Sequence, residues 1–204
     1  MNVGVLVSGS GTNLAALIAA QERGALAPAR LAVVGANQPA CQGLERAREA
    51  QIPTFLLDHR SFAGDRSAYD RALVAKLGEH RVELVVLAGF MRLLTPTFLQ
   101  AFPGRIINIH PALLPAFPGV HAQKQAFEHG VKVTGCTVHF VDEGTDTGPI
   151  IAQAAVPVGP DDDLERLRLR ILAEEHRLLP EAVVAIAEGR VQVEGRRVRV
   201  RPAP

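Results

Sequence analysis

The first half of the sequence alternates continuous apolar runs with amphipathic stretches. Uninterrupted apolar runs are typical of strands covered on both faces, and apolar residues every three or four positions are typical of helices. The pattern predicts strands at 3–8, 31–37, 53–57, 83–90 and 105–110, and helices at 12–24, 42–51 and 67–80. Because helices separate the strands, we expect a parallel sheet in a doubly wound α/β core.

The second half of the chain carries a different pattern. Residues 132–142 alternate apolar with polar or small side chains, and an apolar run at 148–158 follows a glycine-rich turn. This predicts an antiparallel pair at one edge of the sheet. The last residues predict a hairpin with its turn at Glu194-Gly195. We expect one domain over residues 1–189, followed by a hairpin and loose tail at 190–204.

A long amphipathic helix is predicted from near Asp163 towards Glu188. The acidic residues 161–163 precede it, where negative charge favours the positive end of the helix dipole. Pro180 lies inside this pattern. Because proline removes a helical hydrogen bond and its ring crowds the preceding turn, it is expected to kink or split the helix.

Composition narrows the classes of protein that fit. The chain of 204 residues has 22 basic against 21 acidic side chains, which gives no electrostatic footprint for nucleic acid or an acidic membrane surface. The arginine-rich tail is interpreted as a solvated strand face. No stretch resembles a signal peptide or is apolar enough to span a bilayer. Cys41 and Cys136 form no metal-ligand pattern, so we expect reduced thiols in a cytoplasmic protein.

The stretch SGSGTNL, residues 8–14, joins the first predicted strand to the first helix. Its glycines permit a tight turn, Thr12 or Asn13 can cap the helix, and a free helix N-terminus suits a phosphate. The alternative is an ordinary strand–helix turn. Leu14 stands where a dinucleotide fingerprint needs its third glycine, and no Walker lysine follows, so a bound phosphate is expected to be a monophosphate.

The stretch NIHPALLP, residues 108–115, places two polar side chains in an apolar strand. Asn108 and His110 share one face because side chains alternate along a strand. They lie at the strand's carboxyl end, the edge where ligands bind in open α/β sheets. The alternative is a histidine that completes a buried hydrogen-bond network.

The stretch DEGTDTGPI, residues 142–150, contains Asp146, which is expected to face inward. A carboxylate near His110 would raise the pKa of the imidazole and suit it to proton transfer. An acidic hairpin turn is the alternative. The histidines lack metal-ligand spacing and Ser8 and Ser10 lack a nucleophile-elbow context, so no metal and no serine hydrolase is expected. Asn108 as oxyanion donor, His110 as base and Asp146 as its partner fit acyl or formyl transfer to an amine.

Four stretches in order, SGSGTNL, VVLAGFMRLLTP, NIHPALLPAFPG and VHFVDEGTDTGPII, resemble the glycinamide ribonucleotide transformylases of purine biosynthesis. The similarity reaches to about Gly189, and no function is assigned to the tail. It implies a Rossmann-like formyltransferase domain that moves a formyl group from 10-formyltetrahydrofolate to the amine of glycinamide ribonucleotide. The N-terminal half would bind the nucleotide phosphate, and the C-terminal half would contribute to the folate site.

The resemblance also implies residue roles. The catalytic trio would be Asn108, His110 and Asp146. The ribonucleotide would be held by Gly11, Thr12 and Asn13 at its phosphate and by Glu175 at its ribose. The folate would contact Arg66, Met91, Arg92, Leu93, Leu94, Asn108 and Asp142.

Three other functions are considered beside the transformylase. A 10-formyltetrahydrofolate deformylase would use the same trio with water as acceptor, but such enzymes carry an N-terminal regulatory domain and this sequence starts at its first strand. Methionyl-tRNA formyltransferases add a C-terminal RNA-binding domain. A non-catalytic nucleotide- or folate-binding module would not need the trio. The expected partners are small-molecule substrates, not nucleic acid or membrane, and a homodimer is left open.

Overall fold

The structure is a computed structural model that describes residues 1–203. Within them the strands are β1 (Asn2–Val7), β2 (Arg30–Ala36), β3 (Thr54–Leu56), β4 (Leu84–Leu87), β5 (Ile106–His110), β6 (Val133–Phe140), β7 (Ile150–Pro157), β8 (Val191–Glu194) and β9 (Arg197–Val200). The helices are α1 (Thr12–Glu22), α2 (Gln42–Glu49), α3 (Arg66–Glu79), α4 (Pro96–Ala101), α5 (Ala122–His129) and α6 (Leu164–Ala187), with a 3₁₀ turn at His59–Phe62.

The main sheet has seven strands in the order β3-β2-β1-β4-β5-β6-β7. It is mostly parallel, and the β6–β7 pair is antiparallel. The doubly wound α/β class is therefore confirmed. The chain divides into two compact units, Met1–Ile107 and the residues from Asn108 onward. The expected single domain over residues 1–189 stays a prediction.

The first unit is organised around β1. Val5 pairs with Val34 of β2 and with Val86 of β4, in both cases parallel. All three valines are fully buried, which explains why these strands read as continuous apolar runs. Because parallel strands end at the same edge, the segments that follow β1 and β4 meet there, and Ser8 N–H donates to the Gly89 carbonyl at 3.1 Å.

The second unit contains the antiparallel pair and a separate hairpin. Cys136 of β6 pairs with Ala154 of β7. In the hairpin β8–β9, Glu194 pairs with Arg197, so the two-residue turn is Gly195-Arg196. The predicted turn at Glu194-Gly195 was wrong by one residue. Strand β9 also packs against β7.

Helix α6 begins as predicted and does not split. The Asp163 carboxylate accepts from the Arg166 N–H at 2.8 Å and caps the first turn. The helix then runs unbroken through Pro180 to Ala187, so the expected split was wrong, and the alternative of a kink at Pro180 stays a prediction. Proline inside a helix costs about 3 kcal/mol. Leu179 and Val183 are fully buried on either side, and each contributes about 1.5–3 kcal/mol, which offsets that cost.

Candidate active site

The loop between β1 and α1 has a backbone that only glycine fits easily. Gly11 takes a φ of +68°, and a Cβ there would lie 2.7 Å from the Cα of Gly43. Gly11 is also the N-cap of α1, and no side-chain capping bond is made. Thr12 is the first helical residue, so the prediction that Thr12 or Asn13 caps the helix was wrong. The amino end of α1 keeps its favourable field for an anion without a side-chain acceptor at the cap.

A cavity of about 370 Å³ opens at this loop. That volume lies in the range of small-molecule sites. The predicted phosphate residues Gly11, Thr12 and Asn13 all line it. The complete lining is Ser8, Gly9, Ser10, Gly11, Thr12, Asn13, Gln38, Ala88, Gly89 and Met91. The lining side chains are uncharged and, apart from Gln38 and Met91, small, so backbone groups and the helix end dominate the chemistry of the cavity.

Ser8 holds one wall of this cavity in place. Its hydroxyl donates to the Asn37 Oδ1 at 2.7 Å and accepts from the Met91 N–H at 2.9 Å. Ser8 and Asn37 are both buried. The serine therefore links the end of β1 to the segment after β4. This structural role was not predicted from the sequence.

The segment from Met91 to Leu94, predicted to contact folate, is anchored by its backbone. Arg66 Nη2 donates to the Leu93 carbonyl at 2.8 Å. The Arg92 guanidinium lies 4.8 Å from the centre of the Tyr69 ring. Met91 and Leu93 are 69 % and 60 % exposed. The segment therefore offers apolar side chains to solvent beside two guanidinium groups.

His110 ends β5 and is buried, with only 4 % of its side chain exposed. Its Nε2 donates to the Phe117 carbonyl at 2.8 Å. Its Nδ1 lies 3.3 Å from the Asp146 Oδ2. Burial lowers the pKa of His110, and it outweighs the Phe117 carbonyl and the Asp146 charge, which act in the opposite direction. The prediction that the pKa of His110 is raised was therefore wrong, although the charge of Asp146 does act to raise it.

Asp146 faces inward, as expected, from a strained backbone. Its φ is +54°, in the left-handed region that costs a non-glycine residue about 1 kcal/mol or more. Its Oδ2 accepts from the Gly119 N–H at 2.7 Å. Burial opposes ionisation, but contacts from His139, the Gly119 N–H and the charge of His110 together hold the pKa of Asp146 below its ordinary value. The carboxylate is therefore ionised at neutral pH.

Asn108 completes the cluster through a histidine that sequence reasoning did not assign. His139 Nδ1 donates to the Phe140 carbonyl at 2.8 Å, and its Nε2 lies 3.2 Å from Asn108 Nδ2 and 3.6 Å from Asp146 Oδ1. The Asn108 amide also reaches Asp146 Oδ1 at 3.4 Å. That second contact is long, so one amide N–H is weakly held and can turn towards a ligand. From the sequence, the histidines were considered only as metal ligands. The position of His139 just before the loop that carries Asp146 could have indicated its place in the cluster.

The loop that carries Asp146 is closed by its own contacts. Asp142 Oδ1 accepts from the Thr147 hydroxyl at 2.6 Å and from the Gly144 N–H at 3.1 Å. At the loop's end a Cβ on Gly148 would lie 1.8 Å from the Phe140 carbonyl, so only glycine fits. Asp142 thus stabilises the loop through two hydrogen bonds. Its predicted contact with folate stays a prediction.

Glu175 lies in α6 and is buried, with 5 % of its surface exposed. Burial, followed by the negative charge of Glu175, raises the pKa of Cys136 to about 12, so that thiol stays protonated. Cys136 and Cys41 are both free thiols. The ribose-binding role of Glu175 stays a prediction.

Comparison with known proteins identifies the family. A sequence profile of the family described as Formyl transferase matches residues 1–183. The chain belongs to this family. The phosphoribosylglycinamide formyltransferase of Mycobacterium tuberculosis (strain ATCC 25618 / H37Rv) is 51% identical over 195 residues, which cover 94% of this chain and 87% of that protein.

Two further relatives show how much of a longer protein the chain matches and how similar its fold is to a solved structure. The trifunctional purine biosynthetic protein adenosine-3 of Drosophila melanogaster is 50% identical over 188 residues, but the chain spans only 14% of that protein. The crystal structure of glycinamide ribonucleotide transformylase 1 from Symbiobacterium toebii matches with a TM-score of 0.95 and 56% identity, over 98% of this chain and 93% of that one.

Residues 1–203 were searched for a membrane-spanning helix and for a metal-binding group of side chains. No helix there is both long and apolar enough to cross a membrane. In the same part of the chain no three histidine, cysteine, aspartate or glutamate side chains are grouped to hold a metal ion. The expectation that catalysis needs no metal stays a prediction.

Proposed function

We propose that the chain transfers a formyl group from 10-formyltetrahydrofolate to the amine of glycinamide ribonucleotide, a step of purine biosynthesis. The observation that carries the proposal is the contact of Asn108, His110 and Asp146 in a chain half identical to a phosphoribosylglycinamide formyltransferase along 94% of its length. A module that only binds ligand has no need of a buried histidine and an amide that both contact one carboxylate.

His110 is the group suited to take up the proton of the attacking amine. Formyl transfer forms a bond from the amine nitrogen to the formyl carbon, breaks the bond to the donor nitrogen, and moves one proton from acceptor to donor. Because burial lowers its pKa, His110 is largely neutral at pH 7 and able to accept that proton. Asp146 at 3.3 Å stabilises the imidazolium that results.

Asn108 is suited to the formyl oxygen. Negative charge develops there as the amine attacks, and a fixed N–H donor stabilises it by roughly 3 kcal/mol. His139 holds one N–H of the Asn108 amide, and the longer 3.4 Å contact leaves the other to the substrate. The amide would act without moving a proton.

The cavity at Gly11 to Asn13 is suited to the ribonucleotide phosphate. The end of α1, a helix of 11 residues, and the loop backbone favour an anion there. The uncharged lining fits one phosphate held by backbone donors better than a pyrophosphate held by cations. Glu175 is proposed to accept from the ribose hydroxyls.

The segment Met91 to Leu94 is suited to the folate. The exposed Met91 and Leu93 match a flat heteroaromatic ring, and Arg66 and Arg92 match the carboxylates of its glutamate tail. Asp142 is proposed as a further contact. The folate supplies the formyl group, and the chain's own residues supply orientation and proton transfer.

An absorbance assay of the purified protein tests the proposal. The protein is mixed with 10-formyltetrahydrofolate, or with its dideaza analogue, with and without glycinamide ribonucleotide. Loss of the formyl-folate signal only with the ribonucleotide establishes the transferase. Loss without it reassigns the acceptor to water and identifies a deformylase. No loss in either mixture, with both ligands bound, contradicts catalysis and leaves a binding module.

A further inference from the structure

The C-terminal hairpin β8–β9 contacts the loop that carries Asp146. Arg196, at the tip of the hairpin, donates through Nη2 to the carbonyl of Thr147 at 2.8 Å. Thr147 is the residue directly after Asp146. The family profile ends at residue 183, so the arginine lies outside the stretch that defines the family.

The hairpin is held firmly enough to act as a support. At its base Arg190 Nη1 donates to the Arg201 carbonyl at 2.7 Å, and Arg201 Nη2 donates to the Gly189 carbonyl at 2.8 Å. The first bond joins the two ends of the hairpin, and the second ties its C-terminal end to the segment that follows α6. Strand β9 packs against β7, the strand that the loop leads into. The tip is therefore fixed relative to the loop it touches.

The loop needs support because Asp146 is strained. A residue held at a φ of +54° persists only where its surroundings determine its conformation. The Thr147 hydroxyl bonds to Asp142 on the inside of the loop, and its carbonyl bonds to Arg196 on the outside. Thr147 is thus held by two hydrogen bonds, and it directly follows the residue with the strained backbone.

We propose that Arg196 is a positioning residue that holds the 142–148 loop so that Asp146 stays against His110. This inference rests on the proposed role of Asp146. A bond from a charged donor to a carbonyl is stronger than a neutral one, although solvent exposure reduces its worth. Its loss lets the loop visit conformations in which the carboxylate leaves the imidazole.

The test compares three variants of two arginines in the full chain. Arg196→Ala should lower kcat about three- to tenfold, the scale of one charge-assisted hydrogen bond partly replaced by water. The Michaelis constant for the ribonucleotide and the melting temperature should stay unchanged. Arg196→Lys should recover part of the loss, because an ammonium group can reach the same carbonyl. Arg199→Ala is the matched control, since Arg199 pairs with Glu194 inside the hairpin at 3.4 Å.

Hydrogen exchange gives a second readout that does not depend on catalysis. Amide exchange in residues 142–148 should be faster in Arg196→Ala than in the wild type or in Arg199→Ala. Wild-type kcat together with wild-type exchange in Arg196→Ala overturns the inference. Asp146→Asn separates the two proposals: if it reduces turnover while Arg196→Ala does not, the site stands and the support by Arg196 fails.

Discussion

Two regions of the molecule present different chemical groups: the loop at Ser8 to Asn13, and the cluster of Asn108, His110 and Asp146. The loop presents backbone and small uncharged side chains around a cavity. The cluster presents three polar side chains, with Asp146 in contact with both Asn108 and His110, and the charges of Asp146 and His110 shift each other's pKa. Backbone donors bind an anion equally well before and during a reaction, whereas a base and an oxyanion donor act as charge develops. Under the proposed function, this difference fits binding by the loop and chemistry by the cluster.

The largest expected effect tests the cluster at its base. His110→Ala should lower kcat by roughly 10²- to 10⁴-fold, because no other group takes the amine proton. Steady-state rates measure this, and circular dichroism checks that the fold persists. His80→Ala, at the end of α3, serves as the control and should keep the wild-type rate. Near-normal turnover in His110→Ala would remove the imidazole from the mechanism.

The next effect tests the oxyanion donor. Asn108→Ala should lower kcat by roughly 10²- to 10³-fold, the usual cost of one such donor. The Michaelis constants should change much less, because the bond strengthens only as the oxygen gains charge. Both constants come from the same titrations. A variant that raises the Michaelis constant tenfold and leaves kcat alone would make Asn108 a binding residue.

A smaller effect tests the coupling inside the cluster. Asp146 raises the pKa of His110 against the stronger lowering by burial. Asp146→Asn removes the opposing charge, so the imidazole pKa should fall further and the acid limb of the kcat profile should move to lower pH. At the plateau kcat should fall about tenfold or more, because the imidazolium loses its partner. A pH profile with an unmoved acid limb contradicts the coupling.

The smallest effect tests the loop. Asn13→Ala should raise the Michaelis constant for the ribonucleotide about tenfold, the scale of a lost hydrogen bond to a charged group, with kcat and the folate constant nearly unchanged. Asn2→Ala, at the opposite end of β1, is the matched control. If Asn13→Ala lowered kcat as the cluster variants do, the division between binding and chemistry would fail.

Much of the fold follows from local pattern. The buried run of β1 and the cap at Asp163 are both visible in the sequence. The continuity of α6 through Pro180 is not, because it depends on the burial of neighbouring side chains. The helices α4 and α5 were not predicted, and the six residues of α4 are too few to establish a helical period.

The candidate site shows the same division. The shared face of Asn108 and His110 follows from strand alternation. The place of His139 beside Asn108 depends on the pairing of distant segments, and the net direction of the His110 pKa depends on burial. Neither can be read from residues next to each other in the chain.

The left-handed backbone of Asp146 restricts how this position can evolve. Glycine, asparagine and aspartate adopt that conformation most readily, and of the three only aspartate carries a negative charge. Glutamate would keep the charge but suffer more backbone strain than aspartate does, and its carboxylate would lie one methylene further out. If the proposed role of Asp146 holds, activity favours aspartate at this position, whereas the backbone alone favours glycine, and a change made for stability lowers activity.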